Sequence, residues 1–117
     1  MIQYQDWKYS TRILIIDEKN HGSIQVFIPY RDEDKPLDGN ADALIYSLWV
    51  DKPYRGHGVA KHLMDVAEKE LKKCMIKNVA VSWDGNDSPQ WVRSWYKRLG
   101  YKEKVFGDNC STFAKQL

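Results

Sequence analysis

The chain has 117 residues, 43% hydrophobic and 29% charged, the proportions of one ordinary globular domain, which excludes a disordered or collagen-like chain. Lys and Arg exceed Asp and Glu by only two, a net charge of +2 that leaves no electrostatic footprint for nucleic acid. No apolar run approaches the roughly 20 residues of a membrane span, and Met1–Tyr9 lacks a signal-peptide apolar stretch, so a cytoplasmic protein without a membrane partner is expected.

Two strand-like runs come first, Tyr9–Asp17 and Ser23–Tyr30, both rich in β-branched and aromatic residues. The polar segment Glu18–Gly22 between them has the Asn and Gly of a turn, so the pair reads as an antiparallel hairpin. Pro29 marks a strand end or an edge. Arg31–Asp42 (RDEDKPLDGNAD) holds five acids, one Pro and one Gly. It reads as a surface loop, with an acidic lip for a cationic substrate as the alternative.

Ala43–Val50 (ALIYSLWV) is apolar nearly throughout, as in a strand covered on both faces. After a turn at Asp51–Gly58, Val59–Lys73 takes helical spacing, with Val59, Ala60, Leu63, Met64, Ala67 and Leu71 on one stripe. Asp65 with Lys69 and Glu68 with Lys72 are paired at i, i+4 on the solvent side. Asn78–Trp83 is a further buried strand. Strand, glycine turn, helix and strand make a βαβ crossover with parallel strands. Ser88 is placed to cap a helix over Pro89–Leu99, with Trp91, Val92, Trp95 and Leu99 on its buried side and Gly100 as its C-terminal cap. Tyr101–Phe106 and Cys110–Lys115, turned by Gly107-Asp108-Asn109, complete an α+β fold of order β-β-β-α-β-α-β-β with a mixed central sheet, one domain across residues 1–117.

Chemistry concentrates at Arg55-Gly56-His57-Gly58-Val59-Ala60-Lys61, between a buried strand and a helix. A helix N-terminus offers unpaired amides and partial positive charge, and glycines let an anion approach the backbone. Arg55 and Lys61 would add charge and His57 a donor. The plainer alternative is that two glycines merely permit a tight turn. The pattern is neither the P-loop nor the dinucleotide fingerprint. Cys74 and Cys110 are too few for a disulfide framework, and with His21, His57 and His62 they show no zinc spacing, so no metal site is expected.

Leu48–Met64 (LWVDKPYRGHGVAKHLM) resembles the signature of the GNAT superfamily of acetyl-coenzyme A-dependent N-acetyltransferases. Arg55, Gly58 and Ala60 match its Arg/Gln-x-x-Gly-x-Gly/Ala hallmark, and Trp95-Tyr96-Lys97-Arg98-Leu99-Gly100-Tyr101 matches a second feature, aromatic-Tyr-x-x-x-Gly-aromatic. The resemblance covers Ala43–Tyr101 and implies that amides from Gly56 to Lys61 (Gly56, His57, Gly58, Val59, Ala60, Lys61) hold the coenzyme A pyrophosphate. It also implies that the backbone of Leu48, Trp49 and Val50 pairs with the pantetheine arm as an added strand. The strands Ala43–Val50 and Asn78–Trp83 would splay for the thioester. Tyr96 would be the general acid that protonates the departing thiolate; by helical position alone it reads instead as a core aromatic, sharing a face with Val92 and Leu99. The family's Asn ahead of the second motif corresponds loosely to Asn86, ten positions before Tyr96, which the resemblance then implies as a further coenzyme contact.

Two departures accompany the match. Only 42 residues precede the central strand, with no helical period where the family has two helices walling the acceptor site. The acceptor side would then be open, suiting a small-molecule or peptide amine, or be completed by a second subunit in a homodimer. Ala43–Val50 also carries no carboxylate to act as base, leaving Asp42, Glu33 and the Ser47 hydroxyl with water as candidates. The competing functions are a catalytically inactive acyl-coenzyme A-binding or protein-interaction module, and a nucleic-acid surface built from Trp83, Trp91 and Trp95 with Arg93, Lys97 and Arg98. Core packing of the tryptophans argues against the latter.

Overall fold

Ile13, Ile15, Ile24 and Val26 alternate with exposed or half-exposed Arg12, Leu14 and Gln25, the two-residue period of strands with one buried face. The computed structural model describes residues 1–117, apart from the side chain of Asp38. Its strands are β1 (Ile2–Asp6), β2 (Ser10–Ile16), β3 (Gly22–Pro29), β4 (Ala43–Val50), β5 (Asn78–Asp84), β6 (Lys102–Val105) and β7 (Cys110–Gln116). Helix α1 (Val59–Lys73) joins β4 to β5 and helix α2 (Trp91–Arg98) joins β5 to β6. The single sheet has the order β1-β2-β3-β4-β5-β7-β6, and only the β4–β5 pair is parallel.

Strand β1 is absent from the sequence reading. Its five residues are all exposed and alternate Ile and Tyr with Gln, so it carries no core signature, and backbone pairing to β2 at the sheet edge makes it a strand. Tyr4 anchors it by donating to Glu70 Oε1 of α1 at 3.2 Å. The segment Arg31–Asp42 is a loop as expected, with two single-turn 3-10 segments. Its charges pair among themselves: Arg31 with Glu33 and Asp34, Lys35 with Asp32 and Asp42.

Both helices pack on one face. Leu63, Met64, Ala67 and Leu71 of α1 and Tyr96 of α2 share one cluster with Ile13, Ile15, Ile24, Val26, Ile45, Val79, Val81, Trp83 and Phe113. Strand β4 is therefore covered on one face, not on both: Leu44, Tyr46 and Trp49 stay partly or largely exposed on the other. The predicted solvent pair of Glu68 is also replaced. Glu68 turns inward, accepts from Tyr101 Oη and Lys115 Nζ, both at 2.9 Å, and so ties α1 to the C-terminal strands. Burial beside that carboxylate pushes the Tyr101 hydroxyl far above its usual range.

Helix α2 starts later than Pro89 and without a Ser88 cap. The Ser88 amide donates to the Asp84 carbonyl, and the Trp83 indole donates to the Pro89 carbonyl at 3.1 Å, so Ser88 closes a turn onto β5, and Pro89 and Gln90, whose carbonyls accept from Val92 and Arg93 N–H, lead into the helix. Trp91, placed by spacing on the buried side, is 62% exposed. The C-terminal cap forms as read: Gly100 has φ +96°, its N–H donates to Lys97 O, and the Tyr101 N–H donates to Tyr96 O. Arg93 holds the other flank of α2 by donating to Glu103 and to Ser111 Oγ.

Helix α1 closes with the same paired bonds, Met75 N–H to Lys72 O and Ile76 N–H to Leu71 O, but Met75 supplies the left-handed residue, at φ +62° and 84% exposed. A non-glycine residue costs roughly 1–2 kcal/mol in that conformation. Met75→Gly is expected to raise stability by about 0.5–1 kcal/mol after the added flexibility of the unfolded chain is set against it, read as a higher denaturant midpoint; an unchanged or lower midpoint contradicts it. A second expectation concerns acid. The Ser111 hydroxyl and the Arg93 guanidinium hold the Glu103 carboxyl below its usual value. The unfolded chain then binds that proton more readily, so the stabilisation is present above about pH 4.3 and is lost as pH falls through the lower folded value. Glu103→Gln is expected to flatten the fall of stability with acid, measured by urea unfolding across that range.

Candidate active site

The parallel ladder between β4 and β5 is short. It pairs Ala43, Leu44 and Ile45 with Val79, Ala80 and Val81 and then ends. Beyond it β5 stays with β7 through Asp84, and β4 stays with β3 through Val50. The divergence begins at an irregularity in β4, where Ser47 takes φ +52° and the β3 register slips between Ser23 and Gln25. Such bulges bend the strand that carries them. Gly22 keeps the bent end of β4 on β3, since a Cβ there would lie 2.6 Å from the Trp49 carbonyl oxygen. The β5-facing edge of Tyr46–Val50 is left without a strand partner.

A cavity of about 890 Å³ fills the gap. One wall is β4 from Ile45 to Val50, and the floor includes Val92, Trp95 and Tyr96 of α2. The start of α1 contributes Gly56, Gly58, Val59, Ala60 and Lys61, and the far lip is Ser82, Asp84, Asp87 and Ser88. Gly56 and Gly58 have φ of +80° and +84°, and a Cβ on either would meet nothing within 4 Å. Their role is the left-handed backbone and the open space before the helix, not packing room. The first α-helical bond runs from the His62 N–H to the Gly58 carbonyl at 3.0 Å, so the amides that follow Gly58 up to Lys61 lack intrahelical acceptors.

The turn ahead of α1 is pinned to the β2–β3 hairpin. The Asp51 N–H donates to His21 O at 2.8 Å, and the rings of Tyr54 and His21 stack at 3.4 Å. Arg55 Nε donates to Val50 O at 2.8 Å, with its guanidinium 4.7 Å from the Trp49 ring centre. Arg55 is thus a fixed cation at the rim.

Tyr96 is 8% exposed, its ring 5.6 Å from Phe113 and 6.1 Å from Tyr101. Among the described residues nothing hydrogen-bonds its hydroxyl, and it is part of the cavity wall. Burial pushes its ionisation above the usual value.

The structure brings Leu48, Trp49, Val50, Arg55, Gly56, Gly58, Val59, Ala60, Lys61 and Tyr96 to this one cavity. His57 is exposed and outside the lining. Asn86 is also outside it; its carboxamide accepts from Asn109 Nδ2 at 3.1 Å. Of the candidate bases, Ser47 lines the cavity, whereas Asp42 pairs with Lys35 at the other end of β4 and Glu33 pairs with Arg31. The sequence reading missed Tyr46, Tyr54, Ser82, Asp84 and Asp87. The alternation of exposed Ser82 and Asp84 with buried Val81 and Trp83 was a usable signal for two of them. Of the tryptophan-rich group, Trp83 is 2% exposed and Arg93 is bound to Glu103, whereas Trp91 is 62% exposed.

Solved structures share this architecture. An acetyltransferase from Bacillus cereus superposes with a TM-score of 0.66 at 20% identity, covering 92% of this chain and 73% of its own. A GNAT-family acetyltransferase from Staphylococcus aureus gives 0.66 at 18%, covering 92% and 68%. The PaiA N-acetyltransferase of Thermoplasma acidophilum, solved in complex with coenzyme A, gives 0.67 at 17%, covering 93% and 62%. At these identities the likeness establishes the fold. No curated protein sequence matches. The model of the acetyltransferase (GNAT) domain matches residues 10–103, and with the splayed β4–β5 pair and the glycine turn at the head of α1, the chain belongs to the GNAT acetyltransferase family.

Proposed function

We propose that the protein is an N-acetyltransferase that moves an acetyl group from acetyl-coenzyme A to a primary amine by direct attack. The observation that carries this reading is Tyr96, a mostly buried side chain whose hydroxyl has no hydrogen-bond partner among the described residues and which lines the same cavity as the free amides of α1. The donor fits the residues present. Amides at the head of α1, with Arg55 and Lys61 beside them, suit a pyrophosphate. The unpaired edge of Leu48–Val50 suits the amide-bearing pantetheine arm, which would add to the sheet as a strand.

Acetyl-coenzyme A supplies the activated thioester when bound; the chain's residues position it and move protons. Backbone N–H groups of the open β4 edge are available to polarise the thioester carbonyl. Holding amine and thioester together lowers the barrier by removing the entropy of their encounter. As the carbon–nitrogen bond forms and the carbon–sulfur bond breaks, Tyr96 gives its proton to the sulfur. Its raised ionisation keeps it protonated at a pH where an amine of pKa about 10.4 starts to lose its own proton. Reaching the neutral amine near pH 7.4 still costs roughly 4 kcal/mol. The Ser47 hydroxyl, with water leading to Asp84 and Asp87 at the far lip, is the route by which that proton leaves.

Calorimetric titration is expected to give saturable binding of acetyl-coenzyme A and coenzyme A and much weaker binding of ATP. Absence of binding at millimolar coenzyme would make the glycine turn purely structural. Tyr96→Phe keeps the ring packing and is expected to lower kcat by about 100-fold or more, within the usual range for a lost general acid, with coenzyme affinity within about twofold. Unchanged turnover would remove Tyr96 from the chemistry. Binding without turnover on any amine would favour an acyl-coenzyme A-binding module.

A further inference from the structure

The cleft opens on both faces of the sheet. The coenzyme-binding elements lie on the helix side. On the opposite side no helix covers the strands, and Arg12, Gln25, Phe27, Tyr46, Ser82 and Asp84 stand there, alternating along their strands with the buried core residues. Tyr46 and Ser82 sit one residue past the last paired positions, Ile45 and Val81, where the strands part.

Arg12 differs from the other cations of this region. Arg55 is taken by a carbonyl, Lys61 by Asp65 and Arg93 by Glu103. The Arg12 side chain lies over the Phe27 ring, 5.2 Å from its centre, and donates one bond, from Nη1 to the Tyr46 hydroxyl at 3.0 Å. Among the described residues no carboxylate lies within ion-pair distance of it. It lines a shallow depression of about 570 Å³ with Gln3, Tyr4, Gln5, Leu14 and Gln25, so among the described residues the polar side chains of that depression include three carboxamides and no acid. Strand β1 supplies Gln3 and Gln5, opposite Leu14 and Arg12 in register. Across the gap, Asp84 places negative charge on the other lip. The helix-free face is therefore polarised, positive over β2 and negative at the end of β5.

We propose that Arg12 is the anchor of the acceptor site, and that the acceptor is a short dipolar molecule with a primary amine and a carboxylate. The carboxylate docks on the Arg12 guanidinium and the amine enters between Tyr46 and Ser82 toward the thioester. This rests on the acetyl-transfer reading above and names its substrate class. Arg suits the role because its planar fork binds a carboxylate through two parallel bonds, and stacking on Phe27 holds it in place at little further entropic cost. Tyr46 spans from the guanidinium to the backbone of the gap. Anion and reacting nitrogen then lie roughly a tyrosine side chain apart, a separation that fits a dipeptide or an ω-amino acid better than an α-amino acid. Arg12 is a binding and positioning residue; it donates no proton in the reaction.

The test is titration of glycylglycine, its C-terminal amide and a diaminoalkane of similar length into the protein saturated with coenzyme A, for the unaltered chain, Arg12→Gln and Arg12→Lys. Glycylglycine is expected to bind about 10- to 100-fold more tightly than its amide, the usual worth of a charge-assisted pair. Arg12→Gln abolishes that preference, Arg12→Lys retains part of it, and both leave coenzyme affinity and melting temperature unchanged. A preference that survives Arg12→Gln, equal binding of acid and amide, or tighter binding of the diamine overturns the proposal while leaving acetyl transfer standing. Failure of coenzyme A to bind overturns both.

Discussion

The cavity and every side chain gathered at it depend on β4 leaving β5 after three paired residues. A parallel ladder satisfies backbone groups on both strands, so ending it early exposes donors and acceptors that folding would otherwise pair. The chain makes that arrangement stable by binding each strand on its other side. Strand β5 is zipped to β7 from Asn78 to Asp84. Strand β4 is bent at Ser47 but returns to β3 at Trp49 and Val50, where Gly22 gives the clearance. The open edge is thus a property of a rigid sheet and not of a mobile segment, which is the condition for a preformed strand-addition site.

A gap of this kind is useful only if the groups on either side hold their positions. Helix α2 carries Tyr96 on just eight residues, too short to be stable alone. It is fixed at both ends. Gly100 and Tyr101 close its last turn onto Lys97 and Tyr96, Lys115 reaches the Leu99 carbonyl at 2.8 Å, and Arg93 clamps its flank to β6 and β7. The Tyr101–Glu68–Lys115 group then joins this assembly to α1, whose N-terminus lines the same cavity as Tyr96. The two elements expected to touch the donor are parts of one hydrogen-bonded frame.

Much of this frame was legible in the sequence, for physical reasons. Glycines at Gly56, Gly58 and Gly100 occupy positive-φ positions that other residues adopt only at a cost, so they mark their turns directly. The stripe of Leu63, Met64, Ala67 and Leu71 fixed α1 because it is the face that is buried. Strand β1 escaped because nothing in it is buried; pairing alone defines it, and pairing leaves no trace in composition. The start of α2 was misplaced because the Ser88 amide closes a local turn onto the Asp84 carbonyl instead of Ser88 capping the helix, and the Trp83 indole, six residues back, donates to the Pro89 carbonyl. The face of the sheet away from the helices was invisible for a different reason. Arg12, Tyr46 and Ser82 lie on three strands far apart in sequence, and only the register of the sheet brings them to one opening.

In the acceptor proposal above, that opening takes the place of the wall that helices between the first strands would otherwise build. An anchor placed on a strand inherits the stiffness of the sheet, which suits a group that must hold a substrate within a fraction of an ångström of a reacting carbon. Strand β1 contributes here despite burying nothing: pairing with β2 removes that strand from the sheet edge and surrounds Arg12 with uncharged donors and acceptors. An acidic residue at Gln3, Gln5 or Gln25 would neutralise the guanidinium and turn the face toward cationic acceptors. Three carboxamides beside an arginine that has no carboxylate partner among the described residues, with the carboxylate of Asp84 opposite, give the helix-free face a direction of charge, and in the acceptor proposal above it is this direction that would orient a substrate bearing both charges with its nitrogen toward the gap.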